Sequence, residues 1–287
     1  MKRNLLSEIE ERMPTFSKGQ KLISNYILEN YDKAAYMTAA KLGAIVQVSE
    51  STVVRFAIEM GFSGYPEFQH ALREMVRTRL TSFQRMAVTN DLIGDGDLLT
   101  KVLSSDIEKI RRTLEEIDRN AFDAAVDSIV NARHIYIMGV RSSASLAGFL
   151  NYNLRIIFDD VKFVQTTSRS EMFEQMMSIG KDDVMIAISF PRYSKRIIHA
   201  VDFAKAAGAD VIALTDSAMS PIAGAADQLL VAKSDMVSFV DSLAAPLSII
   251  NAIVVAVSMR KQEELTVRLH QLERIWDEYD VYDKNLG

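Results

Sequence analysis

The chain has 287 residues, 48% of them hydrophobic and 25% charged, with a formal net charge of −5 and no cysteine. That composition excludes a disordered chain, a disulfide framework, a thiolate metal site and a cysteine nucleophile. No apolar run reaches the ~20 residues of a membrane-spanning helix, and the opening MKRNLLSEIEER turns charged too soon for a signal peptide, so a cytoplasmic protein without a membrane partner is expected. Charge is uneven. Residues 1–80 hold eleven Lys or Arg against nine Asp or Glu, a net of +2, which leaves −7 on residues 81–287.

Residues 1–80 read as helices with no strand. Leu5, Ile9 and Met13 form a short apolar stripe that stops at Pro14. Ser17 suits the N-cap of a helix carrying Leu22, Ile23, Tyr26 and Ile27, and Thr38 suits the cap of a short helix over 39–45. After Gln47-Val48-Ser49 comes a helix over 50–60, closed by Gly61. A last helix from Tyr65 to about 81 faces Phe68, Leu72, Met75 and Val76 inward. Residues 82–97 are polar and turn-rich, with Gly94-Asp95-Gly96-Asp97, and read as a linker.

From Leu98 onward the pattern changes. A helix over 98–117 has Val102, Ile107, Ile110 and Leu114 as its apolar side, and a second follows over 121–130. Strands are expected at 134–138, 161–164, 184–189, 211–214 and 229–231, and helices at 143–158, 171–178, 194–207 and 221–225. Such alternation argues for a five-stranded parallel sheet covered on both faces, a three-layer α/β/α domain over 98–287. The helix over 242–261 is apolar nearly all round, which suits burial on two sides with a second subunit on one of them. A final amphipathic helix spans 263–279.

Two places carry chemistry. Leu42, Val48-Ser49, Thr52-Val53 and Arg55 fit a helix-turn-helix frame, in which Leu42 and Val53 meet between crossing helices and Ser49 caps the second. The start of that helix would show Ser49, Glu50, Ser51, Thr52 and Arg55 to a DNA major groove, with Lys41, Arg73 and Arg77 as backbone contacts. The frame departs from the usual pattern at Gly43, where Ala is common, and at Gln47, where Gly usually turns the chain. Gln47 must therefore turn left-handed or the turn must differ. A plain helical bundle is the alternative.

The second place is a pair of strand-to-helix turns. Val184–Ile188 is followed by Ser189-Phe190-Pro191-Arg192-Tyr193-Ser194, and the strand over 134–138 is followed by Gly139-Val140-Arg141-Ser142-Ser143. Hydroxyls at two such turns can converge on one ligand, and helix N-termini there favour an anion. Ser194 suits equally an ordinary N-cap. Arg141 and Arg192 can add charge-assisted bonds to phosphate or carboxylate, or pair with acidic residues instead.

The run Ser51 to Phe68, STVVRFAIEMGFSGYPEF, resembles the signature of the RpiR family of bacterial transcriptional regulators, which join a helix-turn-helix domain to a sugar-isomerase (SIS) domain. The Gly139–Ser143 and Ser189–Ser194 stretches resemble the phosphosugar loops of SIS domains. The resemblance implies a regulator of carbohydrate metabolism. Its operator binding, on a palindromic double-stranded site, would be controlled by a small anionic sugar-derived effector held by Gly139, Arg141, Ser142, Ser143, Ser189, Arg192, Tyr193 and Ser194. A homodimer or homotetramer with no cofactor and no catalytic residue is expected, and no metal either, since no His pair has ligand spacing. The alternative is an aldose–ketose isomerase with an accessory helical domain, which needs a base near the substrate carbonyl. Glu171 and His199 are the candidates.

Overall fold

The structure is a computed structural model that describes residues 5–79, 97–235 and 240–282. The chain divides into two compact units. One comprises Met1–Leu98 with Met236–Asp241, and the other Leu99–Asp235 with Ser242–Gly287. The linker expected over 82–97 falls almost wholly outside the described residues.

The first unit is helical: α1 (Leu5–Arg12), α2 (Lys18–Glu29), α3 (Tyr31–Ala34), α4 (Ala39–Val46), α5 (Glu50–Glu59) and α6 (Tyr65–Arg79). Ser17 opens α2 with a capping box: its hydroxyl accepts from the Gln20 amide while the Gln20 side chain accepts from its own. The core is built from Ile9, Ile23, Ile27, Leu42, Val53, Phe56, Phe68 and Leu72, each buried almost completely. Phe56 and Phe68 meet edge to face at 5.6 Å, and Phe16 and Phe62 extend the cluster at 5.4 Å each. T-shaped contacts of this kind add specificity to an interior that aliphatic side chains alone would leave less defined.

The second unit runs α7 (Leu98–Glu116), α8 (Arg119–Asn131), β1 (Ile135–Gly139), α9 (Ser143–Ile157), β2 (Val161–Phe163), α10 (Arg169–Met176), β3 (Val184–Ile188), α11 (Lys195–Ala206), β4 (Asp210–Thr215), β5 (Gln228–Val231), α12 (Ala244–Arg260) and α13 (Gln262–Glu278). The segment expected to be helical over 221–225 is a single 3-10 turn, Ala223–Ala225. The sheet is five-stranded, all pairs parallel, in the order β2-β1-β3-β4-β5. Ile186 and Ile188 point to one face, against α8, α9 and α12; Met185 and Ala187 point to the other, against α10 and α11. Burial on both faces is why β3 reads as an unbroken apolar run rather than an alternation.

At the N-terminal edge of the sheet, Asp183 is fully buried and ties the segment leading into β3 to the segment leading into β1. It accepts from Arg133 at 2.9 and 2.8 Å, pairs with His134 Nδ1 at 2.9 Å and accepts from the Gly180 amide at 2.8 Å. Burial pushes its carboxyl up, but the hydrogen bonds from Arg133, His134 and Gly180 and the charge of Arg133 outweigh that and hold it down at about 2.

Two helices leave apolar side chains exposed. On α12, Ile249, Ile250, Ile253 and Val257 face the sheet, while Val255 and Met259 stay exposed. On α7, Ile107, Ile110 and Leu114 of the apolar side are exposed, and a polar side with Lys109 and Thr113 is buried.

Candidate functional site

The helix-turn-helix forms from local chemistry. Thr38 caps α4, accepting from the Lys41 amide at 3.2 Å, and α4 ends at Gln47 in the left-handed conformation, φ 57° and ψ 43°. The chain then folds back so closely that the Val48 amide donates to the Gly43 carbonyl at 2.9 Å. A Cβ on Gly43 would lie 2.8 Å from the Val48 carbonyl oxygen, which is why alanine is replaced here. Both departures from the usual frame are thus parts of one tight turn: glycine is needed where the backbones touch, and Gln47 takes the strained conformation.

Ser49 caps α5. Its hydroxyl accepts from the Thr52 amide at 3.3 Å and lies 2.9 Å from Ser51 Oγ and 2.8 Å from Thr52 Oγ1. Leu42 and Val53 are fully buried against each other's helices. Lys41, Glu50, Ser51 and Arg55 are exposed, and Arg55 Nε donates back to the Ser51 carbonyl at 3.3 Å, which aligns its guanidinium along the exposed start of α5. Arg73 is placed otherwise. It donates to the Ala35 carbonyl at 2.8 Å, and its guanidinium stands 5.5 Å over the Tyr36 ring. Nearby, the Tyr65 hydroxyl is pushed up to about 12 by burial, an effect the Arg73 charge partly offsets. Arg73 therefore braces the domain. Arg77 lies on α6, with its side chain outside the described residues. A neighbour the sequence did not connect is the first turn of α2. Gly19 sits so close to Thr52 that a Cβ there would lie 3.2 Å from its methyl group, which brings exposed Lys18 beside the start of α5.

In the second unit, β1 and β3 are adjacent and Gly139 lies opposite Ile188, so the two serine turns leave the same sheet edge side by side. The chain passes from β1 outward to β2 and then back across to β3, so the turns flank the point where strand order reverses, the usual ligand crevice of an open parallel sheet. Gly139 is required by contact: a Cβ there would lie 2.3 Å from the Ser143 carbonyl oxygen and 3.0 Å from Ala147 Cβ. Arg141 turns left-handed at φ 58° and is exposed, as is Arg192. Ser142 is exposed and makes no capping bond, while Ser143 and Ser189 are buried. The N-termini of α9 and α11 both open at this edge.

Two predicted residues have structural work of their own. Ser194 is the N-cap of α11, accepting from the Arg196 amide at 3.3 Å. The Tyr193 hydroxyl donates to Asp216 at 2.8 Å, tying the second turn to the loop after β4, and Thr215 donates to the same oxygen at 3.2 Å. Glu171, the candidate isomerase base, accepts from Thr166 Oγ1 and from Gln175 Nε2 at 3.3 Å. The Thr166 carbonyl in turn accepts from Arg196. His199 is half-buried, and its Nδ1 has no hydrogen-bond partner.

Residues 3–79 match the family model of the rpiR-family helix-turn-helix domain, and residues 128–256 match the SIS domain. The chain belongs to the RpiR family. It is 27% identical over 280 residues to the transcriptional regulator HexR of Pseudomonas aeruginosa, covering 94% of this chain and 95% of HexR. Among solved structures, the sugar isomerase domain of an RpiR transcription factor from Sphaerobacter thermophilus matches with a TM-score of 0.59 and 28% identity, over 62% of this chain and 99% of that one. Vibrio vulnificus NanR, solved with ManNAc-6P, matches with a TM-score of 0.60 and 24% identity over 96% of this chain and 99% of NanR. This RpiR-family chain is a DNA-binding transcriptional regulator with a SIS domain.

Proposed function

We propose that residues 1–80 bind a palindromic operator as part of a cytoplasmic homodimer, and that residues 98–287 hold a phosphorylated sugar or related sugar acid that alters operator affinity. The observation that carries the effector reading is the adjacency of two serine-bearing turns at the strand-order reversal, each opening a helix. Backbone amides at helix N-termini and free hydroxyls suit phosphate oxygens. Arg141 and Arg192, exposed at the rim, would add charge-assisted bonds. The NanR complex, in a relative of the same architecture, supports a phosphosugar as the class of ligand. At the DNA, Ser49, Glu50, Ser51, Thr52 and Arg55 form the reading surface, and Lys41 and Lys18 are backbone contacts. Arg73 is set aside because its donors serve the domain.

The ligand can change DNA affinity only by binding the competent and incompetent arrangements unequally. We read the pocket as a sensor rather than a catalyst, since the Glu171 carboxylate is already engaged by Thr166 and Gln175. The test is a thermal-shift screen of the full chain against sugar phosphates and sugar acids, followed by a turnover assay on each hit. A hit that raises the melting temperature without being isomerised is expected. Isomerisation abolished by Glu171→Gln would overturn the sensor reading.

A further inference from the structure

Helix α7 is amphipathic in the wrong sense for a monomer. Its buried side is polar. Lys109 and Thr113 are 4% and 5% exposed, and Lys109 Nζ donates to Ser105 Oγ at 2.6 Å. Asp106 accepts from Ser242 Oγ at 2.6 Å, Thr113 Oγ1 accepts from the Lys233 amide at 2.9 Å, and Lys233 pairs with Glu116. The outer side is aliphatic: Leu103 is 53% exposed, Ile107 67%, Ile110 39% and Leu114 60%. Contiguous apolar surface beyond a few hundred Å² is rare on a soluble monomer and marks an interface.

The pattern of the stripe identifies what covers it. Leu103, Ile107, Ile110, Leu114 and Ile117 follow one another at intervals of four, three, four and three residues. That is the 3.5-residue seam by which one helix packs against another, rather than the broader face a helix lays on a sheet. The flanking charges are balanced and largely self-paired. Arg111 bridges Glu108 at 2.6 Å and Glu115 at 2.5 Å. A balanced rim offers nothing to a nucleic acid or an anionic membrane, yet lets two identical helices meet without repulsion. The seam also opens into a groove of about 390 Å³ between α7, α8 and α12, lined by Ile110, Leu114, Ile117, Phe122 and Ala252. That groove can receive aliphatic side chains from outside.

We propose that α7 pairs through this seam with α7 of a second copy of the chain, burying Leu103, Ile107, Ile110 and Leu114 and filling the α7–α8–α12 groove. The pairing rests on the dimeric reading of the regulator and locates it on the first helix after the DNA-binding unit. In a two-fold interface the same residues serve both partners, so a single substitution acts twice.

The experiment is sedimentation of the full chain, wild type against Ile107→Asp and against Ile107→Asp with Leu114→Asp. Both side chains are exposed, so helix content and melting of the isolated chain should stay near wild type. The expected result is a wild-type dimer whose dissociation constant rises at least 100-fold in the double variant. Because the chain has no cysteine, single Cys substitutions at Leu103, Ile107, Ile110 and Leu114 give a second readout: at least one should form an interchain disulfide on oxidation. A double variant that sediments as the wild-type dimer, with no Cys variant cross-linking, overturns the pairing and leaves the dimeric reading intact. A wild-type chain that stays monomeric with and without operator DNA overturns both.

Discussion

Gly139→Ala is the sharpest perturbation of the proposed effector pocket, because it adds one methyl group at a point where none fits. The new Cβ would lie 2.3 Å from the Ser143 carbonyl oxygen and 2.8 Å from its carbonyl carbon. Carbon contacts settle at about 3.5 Å, so the first turn of α9 has to retreat by roughly 1 Å from the end of β1. The obstacle is backbone, which cannot swing aside as a side chain can. Overpacking of this kind costs about 1–3 kcal/mol, and a backbone clash belongs at the upper end. For a unit of this size that is a fall of roughly 5–10 °C in melting temperature. The displaced turn carries Ser142 and Ser143, so any ligand bonded to both loses roughly 10-fold or more in affinity. Urea denaturation reads the stability, and calorimetric titration with the best ligand from the thermal-shift screen reads the pocket. Operator binding without ligand should persist, since the helix-turn-helix belongs to the other unit. A Gly139→Ala chain that melts within 1 °C of wild type and keeps its ligand affinity would refute the steric argument.

Gln47→Gly should stabilise the first unit by about 0.5–1 kcal/mol in urea denaturation, because a left-handed non-glycine residue costs roughly 1–2 kcal/mol and glycine returns part of that as unfolded-state entropy; a loss of stability would show that the Gln47 side chain holds the turn. Arg55→Ala should weaken operator binding by about 1–3 kcal/mol in a gel-shift titration and leave effector affinity unchanged; an unchanged operator affinity would mean α5 is not the reading helix. Asp183 makes the second unit sensitive to acid. Its folded carboxyl is held at about 2, below its ordinary 3.8, so the stability it contributes is present above about pH 4 and is lost as pH falls towards 2. The shift corresponds to about 2.5 kcal/mol at most, and about 1–2 kcal/mol after solvent screening of half-exposed Arg133. Asp183→Asn should remove that component, so a variant with the wild-type slope of stability between pH 4 and pH 2 would contradict it.

Much of the architecture was legible because it is written in local rules. Ser17, Thr38, Ser49 and Ser194 cap the helices they precede. The unbroken Val184–Ile188 run marked a strand covered twice, and of the two alternatives at Gln47, a left-handed residue or a different turn, the structure has the first. Tertiary context decided the rest. Periodicity reveals that α7 has an apolar side but not which way it turns; the polar side is held inward by Thr113 and Asp106, whose partners Lys233 and Ser242 lie more than a hundred residues away. Arg73 read as a surface cation because its acceptor, the Ala35 carbonyl, is 38 positions distant. Strand order is likewise invisible in the sequence of a single chain, and only the pairing of β1 with β3 shows that the two serine turns lie side by side. The partner of Asp216 is equally hidden, because only the fold brings it to the Tyr193 hydroxyl.

The central claim is that ligand held between the serine turns changes operator affinity. It is tested most directly by fluorescence anisotropy of an operator fragment, titrated at fixed salt with and without the identified sugar ligand, for wild type and for Ser142→Ala with Ser189→Ala. Ser194 is left in place because its loss would uncap α11. The wild type should shift its operator affinity with ligand, and the double variant should bind operator equally well but show no shift. A full ligand response in the double variant, or no salt-sensitive operator binding by either protein, would contradict the claim.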